Sequence, residues 1–222
     1  MQTKPRSSGI LAASLLLVAA SSFAPRAAAS IYTLTPGNTI PASASSFPTG
    51  VGAPLGQLVS PFFVTTSSGN LSGTVTSDVF SGDTSNPYHG LTFTYSLAIS
   101  NSSDSAIGMS ADSFAGFQTD VSYNQSAGEI NPSFFSRSSG TGDILNFLWF
   151  SPNLPPGDTG SLIVVQTDAS FFAPATGGVV DGGGATPLIL APTLAPVPEP
   201  GVASLLMAAL GVFFIFRRRN SA

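Results

Sequence analysis

The sequence predicts an all-β fold, an antiparallel β-sandwich with a β-barrel as the alternative, flanked by an N-terminal signal helix and a C-terminal transmembrane helix. Three observations lead to this prediction. Short segments either alternate apolar and polar side chains or are continuously apolar, as strands are. Clusters of glycine, proline, serine and asparagine separate these segments. Between the two chain ends no long amphipathic helical pattern occurs, and strands without intervening helices favour a sandwich.

The first element, residues 1–29, is predicted to be a signal peptide. Lys4 and Arg6 precede an apolar run over residues 10–20, and small residues follow that run. This order is typical of secretory signals. The predicted cleavage residues are Ala27, Ala29 and Ser30. A cut near Ala24 is the alternative, and an uncleaved anchor is disfavoured because a membrane span needs about 20 apolar residues.

Residues 30–172 are predicted to form the exported β domain. The segment LTFTYSLAIS, residues 91–100, alternates without error and predicts a half-buried strand. In NLSGTVTSDVF, residues 70–80, leucine and valine side chains fall on one side of a second strand. Further strands are expected around residues 62–65 and 117–123.

Two continuous apolar runs, ILNFLWF and SLIVVQT, are predicted to be strands that are covered on both faces. Trp149 lies in the first run and is predicted to be a core residue, since a large indole buries much apolar area. Residues 173–197 mix glycine-rich and proline-rich tracts and are predicted to be a linker. The alternative is that TPLILAP, within this interval, forms a last strand of the sheet.

The last element, residues 198–222, has three parts: a Pro-Glu-Pro tripeptide, an apolar run and an arginine cluster. The prolines keep the tripeptide extended, because proline lacks an amide donor and biases the preceding residue away from helix. Residues 201–216 are predicted to be a transmembrane helix, although a helix of that length reaches only about 24 Å of a hydrocarbon core of roughly 30 Å. The arginines are expected to stay cytoplasmic, which leaves the body outside. The residues that define the tail are Pro198, Glu199, Pro200, Arg217, Arg218 and Arg219.

These three parts resemble the PEP-CTERM sorting signal of bacteria that carry an exosortase. The resemblance implies that an exosortase-like enzyme recognises the tail at the membrane and cuts near the tripeptide. The protein would then move towards the envelope or an exopolysaccharide matrix. A simple membrane anchor is the other interpretation, but it does not need the tripeptide. A GPI-type signal would not usually end in three arginines, and a buried core helix would need protein on every side.

The body between the two ends is acidic. Of all residues in the chain, 8% are charged, and residues 30–197 hold ten acidic residues against one arginine, Arg137. An acidic body repels phosphate backbones, so nucleic-acid binding is disfavoured. The chain has no cysteine, which excludes disulfides and thiolate metal sites.

Candidate catalytic and metal-binding residues are sparse. His89 is the only histidine, and no G-x-S-x-G or comparable nucleophile motif surrounds a serine, so catalysis through His89 is disfavoured. Zinc is disfavoured because its sites need several nitrogen or sulfur ligands. Loops with Asp78, Asp83, Asn86 or Asp104 could offer oxygen to calcium, but they lack the spacing of a calcium loop, and solvated turn carboxylates are preferred. The sequence therefore predicts no enzyme, no catalytic residue, no cofactor and no metal.

Tyr88 lies in a turn and is the predicted glycan contact, because an exposed ring can stack on a sugar. We expect an exported envelope or matrix protein with a structural or adhesive role. The alternatives are a glycan-binding surface module and a secreted hydrolase with an unrecognised site. The predicted partners are signal peptidase and the export machinery, an exosortase-like enzyme, the membrane through the C-terminal helix, and exopolysaccharide. The predicted location is an inner-membrane-anchored precursor with its body outside the cytoplasm, and then the envelope, surface or extracellular matrix.

Overall fold

The structure, a computed structural model, describes residues 33–46, 48–100, 103–181 and 184–195. Within these ranges the regular elements are β-strands, and the paired strands run antiparallel. In chain order they are β1 (Thr39–Pro41), β2 (Gly56–Thr65), β3 (Asn70–Phe80), β4 (Thr92–Ile99), β5 (Gly108–Ala111), β6 (Thr119–Asn124), β7 (Phe134–Arg137), β8 (Leu145–Leu148), β9 (Leu162–Thr167), β10 (Phe171–Val180), β11 (Gly184–Ala185) and β12 (Leu188–Thr193).

The strands form two sheets. The five-stranded sheet has the order β2-β3-β4-β9-β6. The seven-stranded sheet has the order β1-β7-β8-β5-β10-β11. β12 pairs directly with the first part of β10, and β11 pairs with its last two residues. The inner faces of both sheets share one hydrophobic core. The prediction of an all-β fold with two antiparallel sheets is confirmed, and in the described part of the chain the sheets do not close into a barrel.

Aromatic side chains from both sheets meet in the core. Tyr95 of β4 stacks on Phe147 of β8 with ring centroids 5.9 Å apart, and Phe135 of β7 meets the same ring edge-on at 6.0 Å. Trp149 is buried, and its indole N–H donates to the Ile130 carbonyl at 3.1 Å. The prediction that Trp149 is a core residue is therefore confirmed.

The predicted strands occur at the expected places, but one of the two continuous apolar runs is covered on a single face. The strictly alternating segment forms β4, and the segment before it forms β3. In β9 the neighbours Val164 and Val165 point to opposite faces and are both buried, as predicted. In β8, Asn146 and Leu148 point outward and are only half-buried, so the prediction of cover on both faces is wrong for that strand.

The interval 173–197, predicted to be a linker, lies mostly in the β domain, and that prediction is wrong. β10 and β12 form an antiparallel hairpin, and β12 is buried along most of its length. The Leu190 amide donates to the Ser77 hydroxyl at 3.0 Å, and the Leu190 carbonyl accepts the Tyr95 hydroxyl at 2.8 Å. The alternative that TPLILAP forms a last strand is confirmed.

Glycine in this interval allows close packing. A Cβ at Gly177 would lie 3.2 Å from the Ser110 carbonyl oxygen of β5, so a larger residue would displace the neighbouring strand. Composition alone suggested flexibility at Gly177, whereas strand pairing on both sides of β10 fixes its backbone.

The predicted signal peptide and transmembrane helix lie outside the described residues. The same holds for the cleavage residues Ala27, Ala29 and Ser30 and for the sorting residues of the tail. In the ranges that the structure describes, no helix is long and apolar enough to cross a bilayer.

Candidate functional site

Tyr88 and His89 lie in the loop between β3 and β4, where the chain turns sharply. Tyr88 is half-buried, and its hydroxyl shares a hydrogen bond of 3.1 Å with the Thr33 hydroxyl. His89 is exposed and has a φ of 59°, the left-handed region that few non-glycine residues adopt. The backbone amide of His89 donates to the Asn86 carbonyl at 3.3 Å. The predicted glycan contact is thus partly engaged by the protein itself.

Asp83, in the same loop, is buried rather than solvated, which corrects the preferred prediction for this carboxylate. Its carboxylate accepts hydrogen bonds from the Ser85 hydroxyl at 2.6 Å and from the side chains of Thr92 and Gln166 at 2.9 Å each. The backbone amides of Ser85 and Thr49 also donate to it, at 2.9 and 3.1 Å. Burial alone would raise the pKa of Asp83, but these donors outweigh burial and hold the pKa below its ordinary value.

This loop is not arranged as a calcium site. Protein donors already occupy both Asp83 oxygens, and Asn86 directs its side-chain amide to the carbonyls of Gly90 and Thr167 at 3.1 and 3.0 Å. Among the described residues no group of three or more histidine, cysteine, aspartate or glutamate side chains could hold a metal ion. The loop instead fixes the ends of β4 and β9 to each other.

A row of apolar residues crosses the outer face of the seven-stranded sheet, exposed at its two ends and half-buried or buried at its centre. We call it the apolar row; in register across neighbouring strands, its members are Pro41, Phe134, Leu148, Gly108 and Val180. The residues next to them in sequence point into the core, so the row faces outward. Phe134 is 40% exposed and Val180 is 44% exposed. The Leu148 side chain lies over Gly108, where an added Cβ would meet its Cδ2 atom at 3.0 Å.

Phe150 extends the apolar row beyond the end of β8. Its side chain is 53% exposed, and its ring centroid lies 6.2 Å from that of Phe134 at an interplanar angle of 52°. Two neighbouring aromatic rings therefore stand at one end of the row. Contiguous exposed apolar surface of this kind typically marks a contact site.

A second row of small polar residues runs beside the apolar row on the same face. Its members are Thr39, Ser136, Asn146 and Ser110, again in register across the strands. The Asn146 side-chain amide donates to the Ser136 hydroxyl at 3.3 Å. Neither row contains a charged residue. The face thus combines apolar contact area with hydroxyl and amide groups and carries no charge in either row.

The apolar row was not predicted from the sequence. The pattern in NFLWF contained part of the signal, because a strand with Phe147 and Trp149 inward must direct Leu148 and Phe150 outward. Because this run was predicted to be covered on both faces, its outward side chains were not recognised as exposed. The alignment of Phe134 with Leu148 depends on strand register, which no local pattern specifies.

The comparison with protein families concerns the C-terminal tail. Residues 196–220 match a family model described as the PEP-CTERM protein-sorting motif. The chain carries a PEP-CTERM sorting motif. The resemblance found in the sequence is confirmed, and the PEP-CTERM motif indicates an exported protein that the export machinery and an exosortase process at the membrane. No curated protein and no solved structure matches the chain.

Proposed function

We propose that the β domain is a non-catalytic, adhesive component of the cell envelope or extracellular matrix, and that the apolar row is its contact surface. The observation that carries this proposal is the exposure of Phe134, Phe150 and Val180 on one sheet face. Exposed apolar surface is unfavourable in water and lowers solubility, so covering it with a binding partner is favourable. The PEP-CTERM motif supports a place at the cell exterior.

The partner proposed for this face is a neutral polysaccharide. A sugar ring has an apolar C–H face, which the Phe134 and Phe150 rings can cover, and a rim of hydroxyl groups, which suits the side chains of the polar row. The absence of charge in both rows favours a neutral polymer. The acidic character of the domain as a whole disfavours a polyanion.

Tyr88, the glycan contact predicted from the sequence, is the second candidate surface for the same partner. It stands on a different part of the molecule and is less accessible, because its hydroxyl is bonded to Thr33 and its ring is half-buried. Sugar binding that disappears in Tyr88→Ala but persists after changes in the apolar row would support Tyr88 instead. If the protein is instead a hydrolase, it should hydrolyse a substrate, and His89→Ala should abolish that activity.

The test is retention of the full-length chain, held in a mild detergent, on amorphous cellulose as a neutral glucan. We expect Phe134→Ala combined with Phe150→Ala to weaken retention about tenfold, since two exposed rings would contribute at least about 1.4 kcal/mol. Phe63→Ala is the matched control, because Phe63 is 66% exposed on β2 of the other sheet. Retention that survives the double substitution, or that is lost in the control, contradicts the proposal.

Sedimentation velocity on the same samples addresses self-association. If wild type binds no cellulose but forms dimers that the double variant loses, the row is an interface between copies of the chain and the polysaccharide proposal is wrong. If wild type binds cellulose as a monomer, the proposal is supported.

A further inference from the structure

Two exposed apolar side chains stand at the end of the domain from which the chain continues into the C-terminal tail. Thr193, the last residue of β12, lies directly opposite Phe171, the first residue of β10. Leu194 follows Thr193 and is 81% exposed, and Phe171 is 43% exposed. We call Phe171 and Leu194 the apolar tip. Transfer of such side chains from water into an apolar surface is favourable.

The way β12 enters the core fixes the position of the apolar tip. The Leu190 amide donates to the Ser77 hydroxyl at 3.0 Å, and the Leu190 carbonyl accepts the Tyr95 hydroxyl at 2.8 Å. Ile189 and Ala191, on either side of Leu190, are buried. Unravelling β12 would break these hydrogen bonds and expose this apolar area, so the strand does not lengthen the connection that follows it.

The connection between the apolar tip and the predicted transmembrane helix is short. Only residues 196–200 separate Ala195 from that helix, which is predicted over residues 201–216. Even a fully extended chain of this length spans no more than about 20 Å. While the tail crosses a bilayer, the apolar tip therefore stays within reach of the lipid headgroups.

The charges of the domain indicate which kind of lipid surface fits the tip. Arg137 is the only arginine or lysine in residues 33–195; it is 5% exposed, and its guanidinium donates to backbone carbonyls. Asp168, three residues before Phe171, is exposed. An anionic lipid surface would repel this carboxylate and would find no exposed arginine or lysine on the described residues. A zwitterionic surface carries no such penalty.

We propose that the apolar tip rests on a bilayer of zwitterionic lipid while the tail still spans that bilayer, with both side chains among the headgroups. The proposal depends on the predicted transmembrane helix and not on polysaccharide binding by the apolar row. Val180, the member of that row on β10, lies at the other end of the strand from Phe171, about 30 Å away along an extended strand of this length. The apolar row then lies away from the lipid.

The test uses the full-length chain reconstituted in phosphatidylcholine vesicles that contain a lipid with a nitroxide on its headgroup. Because the chain has no cysteine, Ser170→Cys places a single bimane fluorophore beside the tip. Ala127→Cys, in the β6–β7 connection at the opposite end of the domain, is the matched control, and both positions are exposed. We expect nitroxide quenching to be at least about threefold stronger at position 170 than at position 127. Equal quenching at the two positions, or failure of the chain to float with the vesicles, overturns the proposal.

A second experiment separates lipid contact from the shortness of the connection. Insertion of about ten glycine and serine residues between positions 195 and 196 frees the domain to leave the bilayer. We expect quenching at position 170 to persist in this longer chain. Adding Phe171→Ser and Leu194→Ser should lower the ratio of docked to free domains at least about tenfold, because two apolar side chains no longer favour the lipid.

Phe63→Ser in the same longer chain is the matched control, since Phe63 is 66% exposed on β2 and lies outside the tip; quenching should stay unchanged. Loss of quenching on insertion alone, or quenching that the double substitution leaves intact, overturns the proposal. Sedimentation velocity in detergent detects the other occupant, a second copy of the chain. Dimers that form in wild type and disappear in Phe171→Ser with Leu194→Ser would assign the tip to self-association and would also overturn the proposal.

Discussion

The outer faces of the two sheets differ in how far their outward side chains are hydrogen-bonded within the chain. On the five-stranded sheet the chain uses its own outward-facing side chains: Thr92 and Gln166 donate to the buried Asp83, and the hydroxyls of Ser45 and Ser122 share a hydrogen bond of 2.6 Å. On the seven-stranded sheet Pro41, Phe134 and Val180 of the apolar row stay exposed. β2 at the edge of the five-stranded sheet also exposes Val59 and Phe63, at 55% and 66%. The contrast therefore lies between β4, β6 and β9, whose outward polar side chains are bonded within the chain, and the apolar row, whose Phe134 and Val180 stay exposed.

The largest loss of stability is expected from removing the buried Asp83 carboxylate, which accepts hydrogen bonds from the five-stranded sheet. Asp83→Ala removes the acceptor for Thr92, Gln166 and several amides, so we expect the free energy of unfolding to fall by about 3 kcal/mol. Urea denaturation followed by circular dichroism measures the loss. In the control Asp78→Ala, which removes only a bond from Gln57, the change should stay below about 1 kcal/mol. Similar small losses for both variants would show that the Asp83 network does not hold the sheet.

A carboxylate placed on one outer face or the other should show which face binds cellulose. Leu148→Asp puts a carboxylate in the centre of the apolar row, and we expect affinity for amorphous cellulose to drop at least about tenfold because a partner would have to bury that charge. Thr74→Asp places the same group on the outer face of β3, opposite Ala98 and Pro61, and should leave affinity unchanged. The measurement is a depletion isotherm. If both variants lose affinity equally, the contact is not confined to one face.

The smallest effect concerns salt. Because neither row on the proposed contact face carries a charge, raising sodium chloride from about 50 mM to about 500 mM should change cellulose affinity less than about twofold. Stronger weakening at high salt would mean that charged residues outside the rows make the contact. Isotherms at the two salt concentrations decide between these outcomes.

Local patterns were sufficient to predict several features of this protein. Alternation of side chains identified β4 because a strand directs neighbouring residues to opposite faces regardless of its partners. The PEP-CTERM motif was recognisable for a similar reason, since its tripeptide, apolar run and arginines are contiguous in sequence.

Features that depend on distant residues could not be predicted. The interval that contains most of β10 and all of β12 is rich in glycine and proline, and the pairing of β10 with β12 and with β5 makes strands of these segments. The apolar row needs the register of strands that are far apart in sequence.

Hydrogen exchange of the full-length chain, with and without cellohexaose as a soluble neutral sugar, tests the proposed contact surface most directly. We expect slower exchange in peptides covering residues 134–137 and 145–150, which hold the aromatic pair Phe134 and Phe150 and the central members of both rows. Slower exchange confined to residues 56–65 or 81–91 would place the contact on β2 or on the Tyr88 loop and would contradict an adhesive face on the seven-stranded sheet.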